Sequence, residues 1–255
     1  MQRVVTLKFP VGVMAGSKSI SYIRDGLIAF NTFGGMLDHL FQVVLKEAKL
    51  EFAHSLYHEW RLYTSCTLFN MLCLRKVRDK SNALTYVEFG AGEGHTLWFC
   101  LNYANSFPNH RALIDNSKFI IYDSFKGIDP SLPSDIVLAD TKKGPYLGCN
   151  IDRFKERFNG VRNLILREGY LPGSLDVHPQ VKGVDFLHID TNSEIADAAA
   201  MRQSIENVNS GGIVLIDDYG FPQFRSTFDA INKLCDEICL PRPCTLPTGQ
   251  GLLLI

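Results

Sequence analysis

The stretch that most constrains this chain is Tyr86-Val-Glu-Phe-Gly-Ala-Gly-Glu-Gly-His-Thr96. A short apolar run ends near an acid, passes through Gly90, Gly92 and Gly94, and enters the helix-like segment Thr96-Leu-Trp-Phe-Cys-Leu-Asn-Tyr-Ala104. That order predicts a strand, a tight turn and a helix N-terminus. A backbone that turns sharply at a strand end and lets a ligand approach closely has no room for β-carbons, so glycines recur there.

Further apolar runs follow the same form. Lys118-Phe-Ile-Ile-Tyr-Asp123, Asn163-Leu-Ile-Leu-Arg-Glu-Gly169, Val184-Asp-Phe-Leu-His-Ile-Asp190 and Gly212-Ile-Val-Leu-Ile-Asp-Asp218 each lead to an acidic end, and Gly251-Leu-Leu-Leu-Ile255 closes the chain. Near-continuous rather than alternating apolar residues indicate strands covered on both faces, as in a parallel sheet. Helical stripes lie between them: Ile195, Ala198, Met201, Ile205 and Val208, then Phe224, Phe228, Ile231, Leu234 and Ile238. The expected fold is α/β, a doubly wound and mainly parallel Rossmann-like sheet. Residues 1–80 are expected to form a helical extension or lid and 81–255 the cofactor-binding domain. Within the extension, Leu37, Leu40, Phe41, Val44, Leu45 and Ala48 recur at helical spacing, and an aromatic-rich stretch continues to Met71. The segments around 128–150 and 240–250, rich in Pro and Gly, read as surface loops.

Ligands bind open α/β sheets at the carboxyl ends of the strands. Glu88, Asp123, Asp190, Asp217 and Asp218 all fall there. The Gly-x-Gly-x-Gly spacing puts His95 where a dinucleotide-binding turn would carry its last glycine, which favours S-adenosylmethionine (SAM) over a nicotinamide cofactor. Glu88, Gly90, Gly92, Gly94, Asp123 and Ser124 form the expected cofactor-binding set, with Asp123 placed to accept hydrogen bonds from ribose hydroxyls. Asp190, Asp217 and Asp218 would repel one another in a cleft unless protonated or bridged by a cation. A hard divalent ion, Mg²⁺ or Mn²⁺, takes oxygen ligands and would relieve that repulsion while lowering the pKa of a bound hydroxyl. Each motif also has a structural reading, a helix or turn cap for Asp123 and for the aspartate pair.

These residues resemble the macrocin and mycinamicin type O-methyltransferases, SAM-dependent class I enzymes that tailor natural-product sugars. The resemblance rests on Tyr122-Asp-Ser-Phe-Lys-Gly-Ile128, Arg167-Glu-Gly-Tyr-Leu-Pro-Gly-Ser-Leu175, Phe186-Leu-His-Ile-Asp190, Gly211-Gly-Ile-Val-Leu-Ile-Asp-Asp-Tyr-Gly220 and Leu246-Pro-Thr-Gly-Gln-Gly251, and covers residues 83–255. It implies that Asp190, Asp217 and Asp218 ligate a divalent metal, that Glu88, Gly90 and Asp123 contact SAM, and that a hydroxyl, typically on a sugar or another secondary metabolite, receives the methyl group. The stretch Asp190-Thr-Asn192-Ser-Glu194 departs from the family, which carries a second acid two residues after the strand-end aspartate. Gly92 stands where relatives have a bulky aromatic. Asp190 and His95 are the candidate catalytic groups; His188, Glu194, His54 and His58 are rivals for the base, His188 reading as a satisfied core histidine. Two other readings stay open: a catechol-type Mg²⁺-dependent O-methyltransferase, and a non-catalytic SAM-binding partner subunit.

Composition limits the rest. A net charge of −1 with no basic block argues against nucleic acid or an anionic membrane surface as partner. No apolar run reaches the ~18 residues of a membrane span, and no convincing cleavage site follows the N-terminus, so the chain reads as cytoplasmic. The 7 cysteines are odd in number and dispersed, against a disulfide framework and, for Cys235, Cys239 and Cys244, against zinc. Homo-oligomerisation is compatible with the helical extension.

Overall fold

The computed structural model describes residues 39–52, 59–132 and 149–255. His54 and His58, named above as rivals for the base, lie outside the described residues, as does most of the N-terminal extension. The helices α1 (His39–Glu51) and α2 (Glu59–Arg78) precede strand β1 (Thr85–Phe89), and α3 (His95–Asn105) follows it. Next come α4 (Arg111–Asn116), β2 (Lys118–Asp123), α5 (Ile151–Arg157), β3 (Leu164–Glu168), β4 (Val184–Ile189), α6 (Glu194–Ser204), β5 (Val208–Ile216) and α7 (Arg225–Glu237). The chain ends with β6 (Cys244–Thr245) and β7 (Gly251–Leu254).

The strands form one seven-stranded sheet in the order β3-β2-β1-β4-β5-β7-β6. From β3 to β5 every pairing is parallel, and β7 runs antiparallel to both neighbours. β1 sends its successor to one side and pairs with β4 on the other, so strand order reverses there and a crevice opens beyond the carboxyl ends. The expected α/β architecture is the one found. β6 differs from expectation: its stretch reads as loop because two residues are too short to show a period.

Both faces of the sheet are covered, which explains the unbroken apolar runs. Val87, Phe89, Leu187, Ile189, Val214 and Ile216 face one core with Ala200 and Met201 of α6 and Ile231 and Leu234 of α7. Their sequence neighbours Tyr86, Phe186, Ile213 and Leu215 face the other, with Phe69, Leu72 and Cys73 of α2 and Leu97 and Cys100 of α3. Phe69 lies edge-on to both Tyr86 and Phe186; burying such a ring contributes roughly 1.5–3 kcal/mol. α2 is therefore anchored in the core of the sheet, and this anchoring fixes what its N-terminal turns reach. α1 packs on the outside through Phe41, Val44, Leu45 and Ala48 against Leu62, Phe99 and Tyr103. Among the described residues all cysteines are free, and no helix is long and apolar enough to cross a membrane.

Candidate active site

A cavity of about 670 Å³ lies at the carboxyl edge of the sheet. Glu88, Gly90, Gly92, His95, Asp123, Ser124, Asp190, Asp217 and Asp218 all line it. Gly94 does not: a β-carbon there would meet Phe158 at 2.6 Å and Phe154 at 2.8 Å, so its glycine serves the packing of α5 beneath the turn.

On the β1–β2 side, the Asp123 carboxylate organises the backbone. Gly92 N–H donates to Oδ2 at 2.7 Å and Phe125 N–H to Oδ1 at 2.6 Å. Asp123 also lines the cavity, and a carboxylate oxygen can accept more than one hydrogen bond. Burial pushes the Asp123 carboxyl above the usual carboxylate range, and backbone hydrogen bonds from Phe125, Gly92 and Ala91 oppose the shift. Ser124 shapes the next turn, its hydroxyl donating to the Gly127 carbonyl at 2.6 Å and accepting from Lys126 N–H at 3.0 Å. Glu88 is 1% exposed and spoken for: the Tyr86 hydroxyl donates to one oxygen at 3.0 Å and His188 Nδ1 lies 3.1 Å from the other. The register makes this pair, since Glu88 sits directly opposite His188 on β4. Burial alone would lower the His188 pKa, but Asp217 and Glu88 outweigh it and hold the ring well above its ordinary value. His95, the other catalytic candidate, starts α3 with its ring 4.2 Å from Phe52. Burial and then the Arg157 guanidinium push its pKa down to about 4, so the ring is neutral at neutral pH.

On the β4–β5 side the three aspartates come together as the sequence suggests, but around a residue it did not single out. Arg61, on the first turns of α2, places Nη2 2.6 Å from Asp217 Oδ2 and 2.8 Å from Asp218 Oδ1. The same nitrogen donates to the Asp217 carbonyl. Arg61 also lies over the Phe221 ring, 4.8 Å from its centroid. Gln250 Nε2 donates to Asp217 Oδ1 at 2.8 Å, and Asn192 Nδ2 donates to Asp190 Oδ1 at 3.0 Å. Burial works against charge on Asp217, but Arg61, His188 and Gln250 outweigh it and hold this carboxyl below its usual range. Burial raises Asp218 to about 6, partly offset by Arg61. Burial, followed by the charges of Asp217 and Asp218, lifts Asp190 well above its ordinary value.

A divalent ion needs open carboxylate oxygens. Here the guanidinium holds oxygens of both Asp217 and Asp218, the Gln250 amide a second oxygen of Asp217, and the Asn192 amide one of Asp190. No group of His, Cys, Asp or Glu among the described residues is arranged to hold a metal. As arranged, the residues do not fit the metal centre that the family resemblance implies. Asn192, which stands where the family carries a second acid, presents an N–H donor to Asp190. Arg61 was missed because one arginine between Trp60 and Leu62 has no spacing signature. The usable signal was charge balance: carboxylates drawn out of water require a counter-charge.

Asp197, 2% exposed, secures the loop behind Asp190: Oδ1 accepts from Thr191 N–H at 3.0 Å and from the Thr191 hydroxyl at 2.6 Å, and Oδ2 from the Thr227 hydroxyl at 3.2 Å. Burial raises its pKa to about 7, against those hydrogen bonds. The folded state thus holds this proton more tightly than the unfolded chain, where an aspartate titrates near ~3.9. Its contribution to stability is fully present below that value and is lost as pH rises through about 7. Urea unfolding of wild type and Asp197→Asn at pH 5.5 and 8.5 should show the variant losing less stability between the two, by about 2 kcal/mol on the linkage scale. Parallel losses would place the titrating group elsewhere.

No protein-family model matches the chain, and no curated protein matches its sequence. Solved structures do match. The O-methyltransferase NovP aligns over 74% of this chain and 79% of its own at 16% identity, with a TM-score of 0.59. The calicheamicin methyltransferase CalS11 aligns over 99% of both chains at 17% identity, TM-score 0.53. A putative caffeoyl-CoA O-methyltransferase from Staphylococcus aureus covers 92% of this chain and 98% of its own at 11% identity, TM-score 0.50. With its strand order, antiparallel β7 and flanking helices, the chain has the Rossmann-like fold of the class I methyltransferases.

Proposed function

We propose that this protein is a SAM-dependent O-methyltransferase acting on a hydroxyl of a small molecule. The observation that carries the reading is the division of one cavity, at the carboxyl edge of a class I methyltransferase sheet, between an Asp123-organised glycine turn and Asp190 just past the end of β4. SAM supplies a methyl group on a positively charged sulfur. The residues fit it: Asp123 presents a carboxylate at the cavity wall to accept from ribose hydroxyls, and Gly90 and Gly92 keep the turn free of β-carbons, both at positive φ. On the acceptor side, Asp190 takes the hydroxyl proton, its raised pKa making it a stronger base than an exposed aspartate. Leu171, Phe221 and Phe224 furnish apolar walls and exclude water. The sequence resemblance supports a sugar or another hydroxylated secondary metabolite as acceptor, and NovP and CalS11, themselves described as methyltransferases, are consistent with the chemistry.

Calorimetric titration with SAM tests the cofactor reading. Wild type should bind one equivalent. Asp123→Ala should weaken binding about 10–100-fold, because hydrogen bonds to a charged group contribute ~1.5–3 kcal/mol. A panel of sugar and catechol acceptors, scored by S-adenosylhomocysteine release, then identifies the substrate class. Methylation of catechols alone would select the catechol-type reading, and SAM binding without turnover on any acceptor would select the non-catalytic one. Absence of SAM binding would remove the proposal.

A further inference from the structure

We propose that Arg61 is the resident cation of this site: its guanidinium occupies the place of a divalent ion among Asp190, Asp217 and Asp218, and the protein works without metal. The inference rests on the reading of the cavity as a methyl-transfer site and specifies how that site is charged.

The geometry is specific. One guanidinium nitrogen spans Asp217 and Asp218 at 2.6 and 2.8 Å. The side chain is almost out of solvent, 11% exposed. Phe221 covers it on one side, and its helix is tied to the sheet through Phe69 and Leu72. The Ser65 hydroxyl, one turn on, donates to the Arg61 carbonyl at 3.0 Å, and Gln250 reaches both Ser65 and Asp217, at 3.4 and 2.8 Å. A divalent ion would compete for the same oxygens while lying beside a positive charge that cannot be shed, since guanidinium does not deprotonate in proteins. Exchange of one cation for the other therefore requires α2 to withdraw its arginine.

Arg61 lines the cavity; its Nε is buried without a hydrogen-bond partner among the described residues, and Nη2 carries the contacts to Asp217 and Asp218.

Manganese binding to the chelator-treated full chain, followed by electron paramagnetic resonance, tests this directly. Wild type should show no saturable uptake up to about 1 mM, the range of weak protein sites. Arg61→Ala should gain a site on the order of tenfold tighter or better, lost again when Asp217→Asn is added. Saturable Mn²⁺ uptake by wild type that Asp217→Asn abolishes would overturn the proposal, as would a folded Arg61→Ala that takes up none. Should Arg61→Ala fail to fold by circular dichroism, the wild-type titration and Arg61→Lys decide: the lysine variant keeps the charge and should stay as metal-free as wild type, and uptake by either overturns the idea. SAM titration in the same samples scores the methyltransferase reading separately, so loss of SAM binding and presence of a metal site are distinct failures.

Discussion

Asp190→Asn should lower kcat by about 10²–10⁴-fold, the usual contribution of a positioned general base, while SAM affinity stays within a few-fold of wild type. The substitution keeps the shape of the side chain and leaves the backbone bond from Asp190 N–H to the Phe89 carbonyl, 2.8 Å, in place. Asp123, which organises the cofactor side, belongs to a different strand. The pH dependence separates a base from a merely structural residue. Because burial and then Asp217 and Asp218 hold the Asp190 carboxyl well above its ordinary range, wild-type kcat should fall as pH drops through that raised value, and the variant should lose this acidic limb. The stability sign runs the other way. A carboxyl whose folded pKa is raised stabilises most below its unfolded value of ~3.9 and loses that contribution as pH rises through the folded one. Above that window Asp190→Asn should be at least as resistant to urea as wild type. A variant retaining kcat within about threefold, far inside the range for a base, would move the proton acceptor elsewhere on the cavity wall.

The fold was legible because a parallel sheet buried on both faces leaves few options for its sequence. The runs 118–123 and 184–190 name their strands almost to the residue, while β5 begins four residues before its run, at Val208, which the sequence assigned to the preceding helical stripe; the terminal acids of the runs mark the edge where the cavity opens. What the runs could not give is how those acids are balanced. Glu88 is matched by His188 through strand register, a relation between positions 100 residues apart. Asp217 and Asp218 are matched by Arg61, at a separation of 156 and 157 residues. Charge pairing at such distances leaves no periodic trace, so a cluster of aspartates read alone suggests a metal, and only the packing of α2 shows the guanidinium. The glycines teach a related lesson. Their clustering predicts a turn, and the turn is there, but Gly94 is required by Phe154 and Phe158 beneath it rather than by a ligand above.

Gly90→Ala should cost the most stability of any single-methyl change at this site. Gly90 sits at the tip of β1, between strands on both sides: its N–H donates to the Tyr122 carbonyl at 2.8 Å, while Asp190 N–H donates to the Phe89 carbonyl. A β-carbon would lie 2.5 Å from the Asp190 carbonyl carbon and 2.9 Å from Thr191 Cα, closer still to the Asp190 oxygen, so it strikes backbone that no rotamer change can move. The residue also has φ of +81°, in the left-handed region. The conformation costs an alanine roughly 1–2 kcal/mol and the overpacking a further 1–3 kcal/mol. A total of about 2–5 kcal/mol is a large share of the ~5–15 kcal/mol that holds a domain folded. What relief exists comes from parting β1 and β4, which displaces Asp190 from Asp217 and Asp218; SAM binding and turnover should therefore fall together with the melting temperature. Gly160→Ala is the control. No atom lies within 4 Å of its would-be β-carbon, and it should melt with wild type. Equal melting of Gly90→Ala and Gly160→Ala would mean that the β1 and β4 tips do not approach this closely, and the convergence of glycine turn and aspartates on one cavity would fail with it.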